Sequence, residues 1–98
     1  MKHWQGVYKN KNITYTFKEG RCYGTWNGKR LSESYVKLKG NLVYISPNIP
    51  DMKNMIRNVW VVWELNGDEL LSKHLEDMND GTKFYEERAG EIILKKQQ

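Results

Sequence analysis

Apolar and polar residues alternate along most of this chain with the two-residue period of a half-buried strand. Ile13, Tyr15 and Phe17 share one face, with Thr14, Thr16 and Lys18 on the other. Trp4, Gly6 and Tyr8 fall together, as do Cys22, Gly24 and Trp26, and Val36 and Leu38 oppose Lys37 and Lys39. The longest clean apolar face is Val59, Val61, Trp63 and Leu65, and Ile92 and Leu94 close the pattern. Turn signals separate these segments at Asn10-Lys11-Asn12, Glu19-Gly20, Asn27-Gly28, Gly40-Asn41, Asn66-Gly67, Asp80-Gly81 and Ala89-Gly90. Asn-Gly and Asp-Gly mark tight hairpins, whose primed turns need positive φ at their central residues. The pattern predicts strands near 3–9, 12–18, 21–27, 33–39, 41–46, 58–65, 68–76, 82–88 and 91–96.

Eight or nine short antiparallel strands joined by hairpins would leave exposed edges unless the sheet closes on itself. The expected fold is therefore all-β, a small antiparallel meander barrel, with a two-sheet sandwich as the alternative the same pattern permits. Residues 1–98 form one domain, because a chain this short has no room for a second core. One stretch breaks the rhythm. Pro47 and Pro50 forbid a central strand there. Pro50-Asp51 suits a helix start, and Met52, Met55 and Ile56 then share a side at helical spacing. A short helical lid near 50–57 is the expectation.

Composition sharpens the picture of the interior. Four Trp, six Tyr and two Phe supply a large apolar load. With Trp4, Tyr8, Tyr15, Phe17, Trp26 and Trp63 directed inward, a barrel of this size should be filled by its own side chains. The one cysteine, Cys22, allows no internal disulfide and points to a reducing compartment. The N-terminus carries no apolar signal region and no run approaches a membrane span, so a soluble cytoplasmic protein with no membrane partner is expected.

Charge is unevenly distributed. Residues 1–46 hold nine Lys and Arg against two acids, while residues 47–98 hold seven against ten. If sequential strands are neighbours, the two signs occupy different sides of the domain, a field able to steer an anionic or dipolar partner. Tyr23, Tyr35 and Tyr44 interleave with the basic residues, a combination that suits single-stranded nucleic acid.

Catalytic and metal chemistry find little footing. Cys22 is expected buried and inert, with only His3 and His74 available as partners. Those three are also the candidate zinc ligands, but they lack the close pairs of a structural site. The acidic pairs Asp68-Glu69, Glu76-Asp77 and Glu86-Glu87 point to opposite strand faces. There is no phosphate-binding glycine loop and no nucleophile elbow, so neither an enzyme nor a cofactor is expected.

Trp4-Gln5-Gly6-Val7-Tyr8, Tyr15-Thr16-Phe17, Gly24-Thr25-Trp26-Asn27-Gly28, Trp63-Glu64-Leu65-Asn66-Gly67-Asp68 and Asp80-Gly81-Thr82-Lys83-Phe84 form repeated strand and turn units. In this the chain resembles the small lipocalin-like (calycin) barrels. The resemblance implies a closed barrel and a habit of binding a small ligand in its mouth. Three functional expectations follow. The first is a non-catalytic interaction protein that docks a barrel face onto a protein, in the general character of phage or mobile-element inhibitors such as anti-CRISPR proteins. Its candidate contacts are Trp60, Met52 and Met55, and separately Lys9, Lys11, Arg21, Lys29 and Arg30. Trp60 and Val62 lie opposite the apolar face of their strand, so they form either an exposed patch or a second small core under the lid. The second is a binder of a small apolar or aromatic ligand lined by Trp4, Tyr15, Trp26 and Trp63; an internal cavity of ~300 Å³ or more would favour it. The third is single-strand binding through the basic N-terminal half.

Overall fold

The computed structural model describes residues 4–30, 33–46 and 59–97. Ten strands form: β1 (Gly6–Lys9), β2 (Ile13–Lys18), β3 (Arg21–Trp26), β4 (Lys29–Arg30), β5 (Ser34–Lys39), β6 (Leu42–Ile45), β7 (Val59–Asn66), β8 (Glu69–Asp77), β9 (Lys83–Phe84) and β10 (Ile93–Lys96). Eight of them close a ring in the order β10-β1-β2-β3-β5-β6-β7-β8, with β8 pairing back onto β10 and every pairing antiparallel. The meander barrel is therefore closed, and a sandwich is excluded. The two extra strands flank it, β4 beside β3 and β9 beside β8.

Turn chemistry sets the base of the barrel. Lys18 faces Arg21 across Glu19-Gly20, Lys39 faces Leu42 across Gly40-Asn41, and Asn66 faces Glu69 across Gly67-Asp68. These two-residue hairpins keep the base tight. The other end carries the long connection 78–92 beside the tight Asn27-Gly28 turn. Asn27 and Gly28 both have positive φ, 50° and 82°, as the expected primed turn requires.

Two strand lines are interrupted on the mouth side. Thr25 pairs with Arg30 and Cys22 with Ser34, so β3 is paired by β4 at its end and by β5 at its start. The larger interruption separates β9 from β10. Leu75 pairs with Phe84 and Leu71 with Ile93, and the chain between them makes an excursion through a single 3₁₀ turn at Glu86–Arg88. The expected strand at 82–88 thus shrinks to two residues. Tyr85 turns the chain out of the ladder by adopting a left-handed φ of 61°, a conformation that no alternation pattern announces. The expected lid near 50–57, with Met52 and Met55, lies outside the described residues, and so does His3.

The core runs along the inward face of every barrel strand. Tyr8, Ile13, Tyr15, Phe17, Cys22, Val43, Ile45, Trp63, Leu70 and Leu94 form one buried cluster, with Trp4 packed against it. Gly24 sits under Tyr15, where a Cβ would come within 2.7 Å of the ring, so this interior position admits no side chain.

Alternation fails at one point on β8. Trp63 pairs with Ser72 but Val62 pairs with His74, leaving Lys73 as an extra residue in a bulge. Val62 is nevertheless buried, with Tyr44 and His74, on the outer side of the wall. Trp60 is half-buried there, edge-on to Tyr44 at 5.9 Å, and the Lys37 ammonium lies 4.9 Å from its ring centre. Tyr44, Val62 and His74 thus form a second small buried cluster, with Trp60 at its edge.

Candidate functional site

The feature that stands out is a hollow at the mouth of the barrel. It has a volume of about 320 Å³ and is lined by Trp26, Val61, Trp63, Leu75, Tyr85 and Ile92, with Ser72 at its wall. The sequence-based expectation of a completely filled interior therefore needs correcting. The base is packed, but the mouth keeps a pocket, because both neighbours of β8 depart from regular pairing there.

Ser72 holds the irregular wall in place. Its backbone N–H donates to the Ile92 carbonyl at 2.9 Å, and its carbonyl accepts from the Gly90 N–H at 2.5 Å. Its hydroxyl accepts from the Ile92 N–H at 3.0 Å. One residue thereby fastens the 85–92 excursion and sets Ile92 against the pocket. At the start of the same connection, Asp77 Oδ1 accepts from the Asn79 N–H at 2.7 Å and from the Asp80 N–H at 3.2 Å, a local Asx turn.

Aromatic side chains connect the mouth to the core. The Trp26 indole N–H donates to the Tyr15 hydroxyl at 3.1 Å. Tyr15 stands edge-on to Trp63 at 5.6 Å and to Phe17 at 6.0 Å, and Phe17 meets Trp4 at 5.4 Å. Burial pushes the Tyr15 hydroxyl up to about 12, so it stays protonated. Of the four ligand-lining residues expected from sequence, Trp26 and Trp63 line the pocket and Tyr15 lies directly behind them. Trp4 instead belongs to the base. Trp26 retains 36% exposure, being inward in register but last on its strand.

Trp63 carries the most telling single atom. Its side chain is buried, yet among the described residues its indole N–H has no hydrogen-bond partner. A buried unpaired donor costs about 1–3 kcal/mol. Nothing in the strand pattern signalled this, because it depends on what the neighbouring strands fail to provide. A second hollow of about 310 Å³ adjoins the first, sharing Trp26 and Ile92, and its other walls include Asn10, Asn12 and Asn27.

The remaining candidates are scattered. Cys22 is buried inside the barrel, where desolvation pushes its thiol up to about 12 and keeps it an unreactive thiol. His74 lies on the outer side of the wall, with Nε2 3.2 Å from Glu76 Oε1. Cys22 and His74 are thus not brought together, and among the described residues no group of three His, Cys, Asp or Glu is arranged to hold a metal. Lys9, Lys11, Lys29 and Arg30 are all exposed, Lys9 and Lys11 around the first hairpin and Lys29 and Arg30 on β4. Arg21 opens β3 at the base, with Nε 2.6 Å from Glu33 Oε2 and its guanidinium 4.2 Å from the Tyr35 ring centre. No helix among the described residues is long and apolar enough to cross a membrane.

Fold and hollow together define a class: a closed eight-stranded meander barrel with an aromatic-walled pocket at one end. Comparison of the chain with protein-family models, curated proteins and solved structures returned no match.

Proposed function

We propose that this chain is a non-catalytic binding protein that holds a small, largely apolar or aromatic molecule in the mouth of its barrel, in the manner of lipocalin-like proteins. The observation that carries the reading is the mouth pocket of about 320 Å³ between Trp26, Trp63, Leu75 and Ile92. A hollow of that size falls at the lower end of small-molecule sites. Apolar walls supply the affinity.

Native mass spectrometry of the purified protein tests the reading directly, by showing whether a small molecule is retained. Titration with anilinonaphthalene sulfonate, followed by its own fluorescence and by Trp quenching, gives the second readout. Leu75→Trp, which fills the pocket, should abolish the signal in a folded protein; unchanged binding by that variant refutes the site.

Docking of a macromolecule on the outside of the barrel is the second reading, favoured by the separation of charge. Because β1 to β6 are contiguous around the ring, the basic half of the sequence forms one side and the acidic half the other. The Trp60 region has less to recommend it, since Trp60 is engaged by Tyr44 and Lys37.

A further inference from the structure

The outer face of β2, β3, β4 and β5 has an order that the pocket does not explain. Register places outward residues in three rows. Lys18 and Thr16 of β2 stand opposite Arg21 and Tyr23 of β3, and Thr14 stands opposite Thr25. On the far side, Tyr35 of β5 stands opposite Arg21, and Arg30 of β4 opposite Thr25. Tyr35 and Tyr23 are exposed, at 60% and 44%, so two aromatic rings reach solvent on a sheet surface, Tyr35 with Arg21 over one face. They belong to adjacent strands on one diagonal, a separation of about 7–8 Å between backbones. Neither ring is needed by the core.

Cations surround these rings. Lys18 and Arg30 are exposed at the margins, and the Arg21 guanidinium already lies over the Tyr35 ring at 4.2 Å. Glu33, an acid beside this face, is held by Arg21. A face that pairs exposed aromatic rings with Lys18 and Arg30, which have no ion-pair partner among the described residues, matches a partner that offers flat π-surfaces joined by a chain of negative charges. Folded acidic proteins offer the charge without the regular stack.

We infer that this face binds single-stranded nucleic acid, with Tyr23 and Tyr35 stacking bases and Lys18 and Arg30 contacting phosphates. The site is independent of the mouth pocket. Stacking on a sheet surface tolerates any base, so affinity should depend on length and salt more than on sequence.

Fluorescence anisotropy with a fluorescein-labelled oligothymidine, at low and at moderate salt, tests the inference. The wild-type protein should bind, and the log–log salt dependence should be negative. Lys18→Glu and Arg30→Glu should each weaken binding and flatten the slope by about 0.7 or more, the share of one neutralised phosphate on a single strand. Tyr23→Ala and Tyr35→Ala should each lower affinity between about fivefold and about a hundredfold. Both tyrosines are exposed, so circular dichroism should show these variants folded. Leu75→Trp, which closes the mouth pocket, should leave the oligonucleotide affinity unchanged. No binding at low salt overturns the inference. So does binding that disappears with the charges but is indifferent to both tyrosines, or that heparin reproduces equally well, because either would mark a general polyanion surface.

Discussion

Leu70 and Leu94 face each other across β8 and β10 at the base of the barrel and are fully buried. Leu75 and Ile92 lie further along the same two strand lines, and they stand beside an open pocket instead of each other. Side chains of the same kind, a few residues apart, thus end in opposite states. The base keeps its ladder in step, and each pair there meets across a regular hydrogen-bonded register. At the mouth, the Lys73 bulge shifts β7 against β8, and the left-handed Tyr85 leads the chain out between β9 and β10. Whether this barrel is filled or hollow is decided by backbone irregularity, with side-chain size secondary.

The largest effect should come from the base. Leu94→Ala removes a fully buried side chain from a site that cannot relax, and should cost about 2–5 kcal/mol. In a domain of this size that is a fall in melting temperature of about 10 °C or more. Leu75→Ala, beside an existing hollow, should cost clearly less. Denaturant unfolding of both variants measures the contrast, and equal losses would erase the distinction between the two ends.

Alkaline pH probes the same contrast through titration. Burial pushes the Cys22 thiol from 9.0 to about 12 and the Tyr15 hydroxyl from 10.0 to about 12. Above pH 9 the unfolded chain releases these protons while the native protein keeps them, so the native state binds more protons and stability falls as pH rises. The stability that the protonated groups lend is complete below pH 9 and is lost through pH 12. Each group contributes a slope of roughly 1.4 kcal/mol per pH unit within its own window. Unfolding measured in steps across that range should show the decline, and Cys22→Ala should make it shallower. An unchanged slope in that variant would mean that the thiol is not sealed inside the wall.

Much of this fold was legible in the chain. Period-two runs such as Ile13-Thr14-Tyr15-Thr16-Phe17 and the Asn27-Gly28 turn act over a few residues, and the barrel reproduces them. What escaped reading acts between strands. Lys29–Arg30 pairs with the end of β3, beyond the residues that β5 pairs. Trp26 has the inward parity that alternation predicts, yet its place at the end of β3 leaves it half open. Val62 has outward parity and is buried all the same, since Tyr44 and His74 meet it on the outside. The pocket is a property of the gap between β7, β8 and the 85–92 excursion, and no single segment encodes it.

An intermediate effect is expected where the filled and hollow regions meet. Gly24 lies under the Tyr15 ring, and a methyl group there would also press on the Thr14 carbonyl at 2.8 Å. Gly24→Ala must displace Tyr15, which accepts the Trp26 hydrogen bond and backs the pocket wall. A loss of about 1–3 kcal/mol is expected, together with a changed Trp emission spectrum. Stability lost with no spectral change would mean that the strain is absorbed elsewhere than at the mouth.

The smallest effect on stability, and the sharpest on the pocket, belongs to Leu75→Phe. Leu75 is partly buried and lines the hollow, so the larger ring has space to enter without displacing the packed base. Stability should change by less than about 1 kcal/mol in either direction, since filling an existing void offsets the strain of a bulkier side chain. Anilinonaphthalene sulfonate binding should be lost at the same time. The pairing of the two results is what discriminates. A variant that loses stability as Leu94→Ala does would show that the mouth is packed as rigidly as the base. A variant that keeps both stability and dye binding would place the dye outside the barrel. Near-neutral stability with lost binding is the outcome that a preformed hollow, held open by the backbone around Ser72, requires.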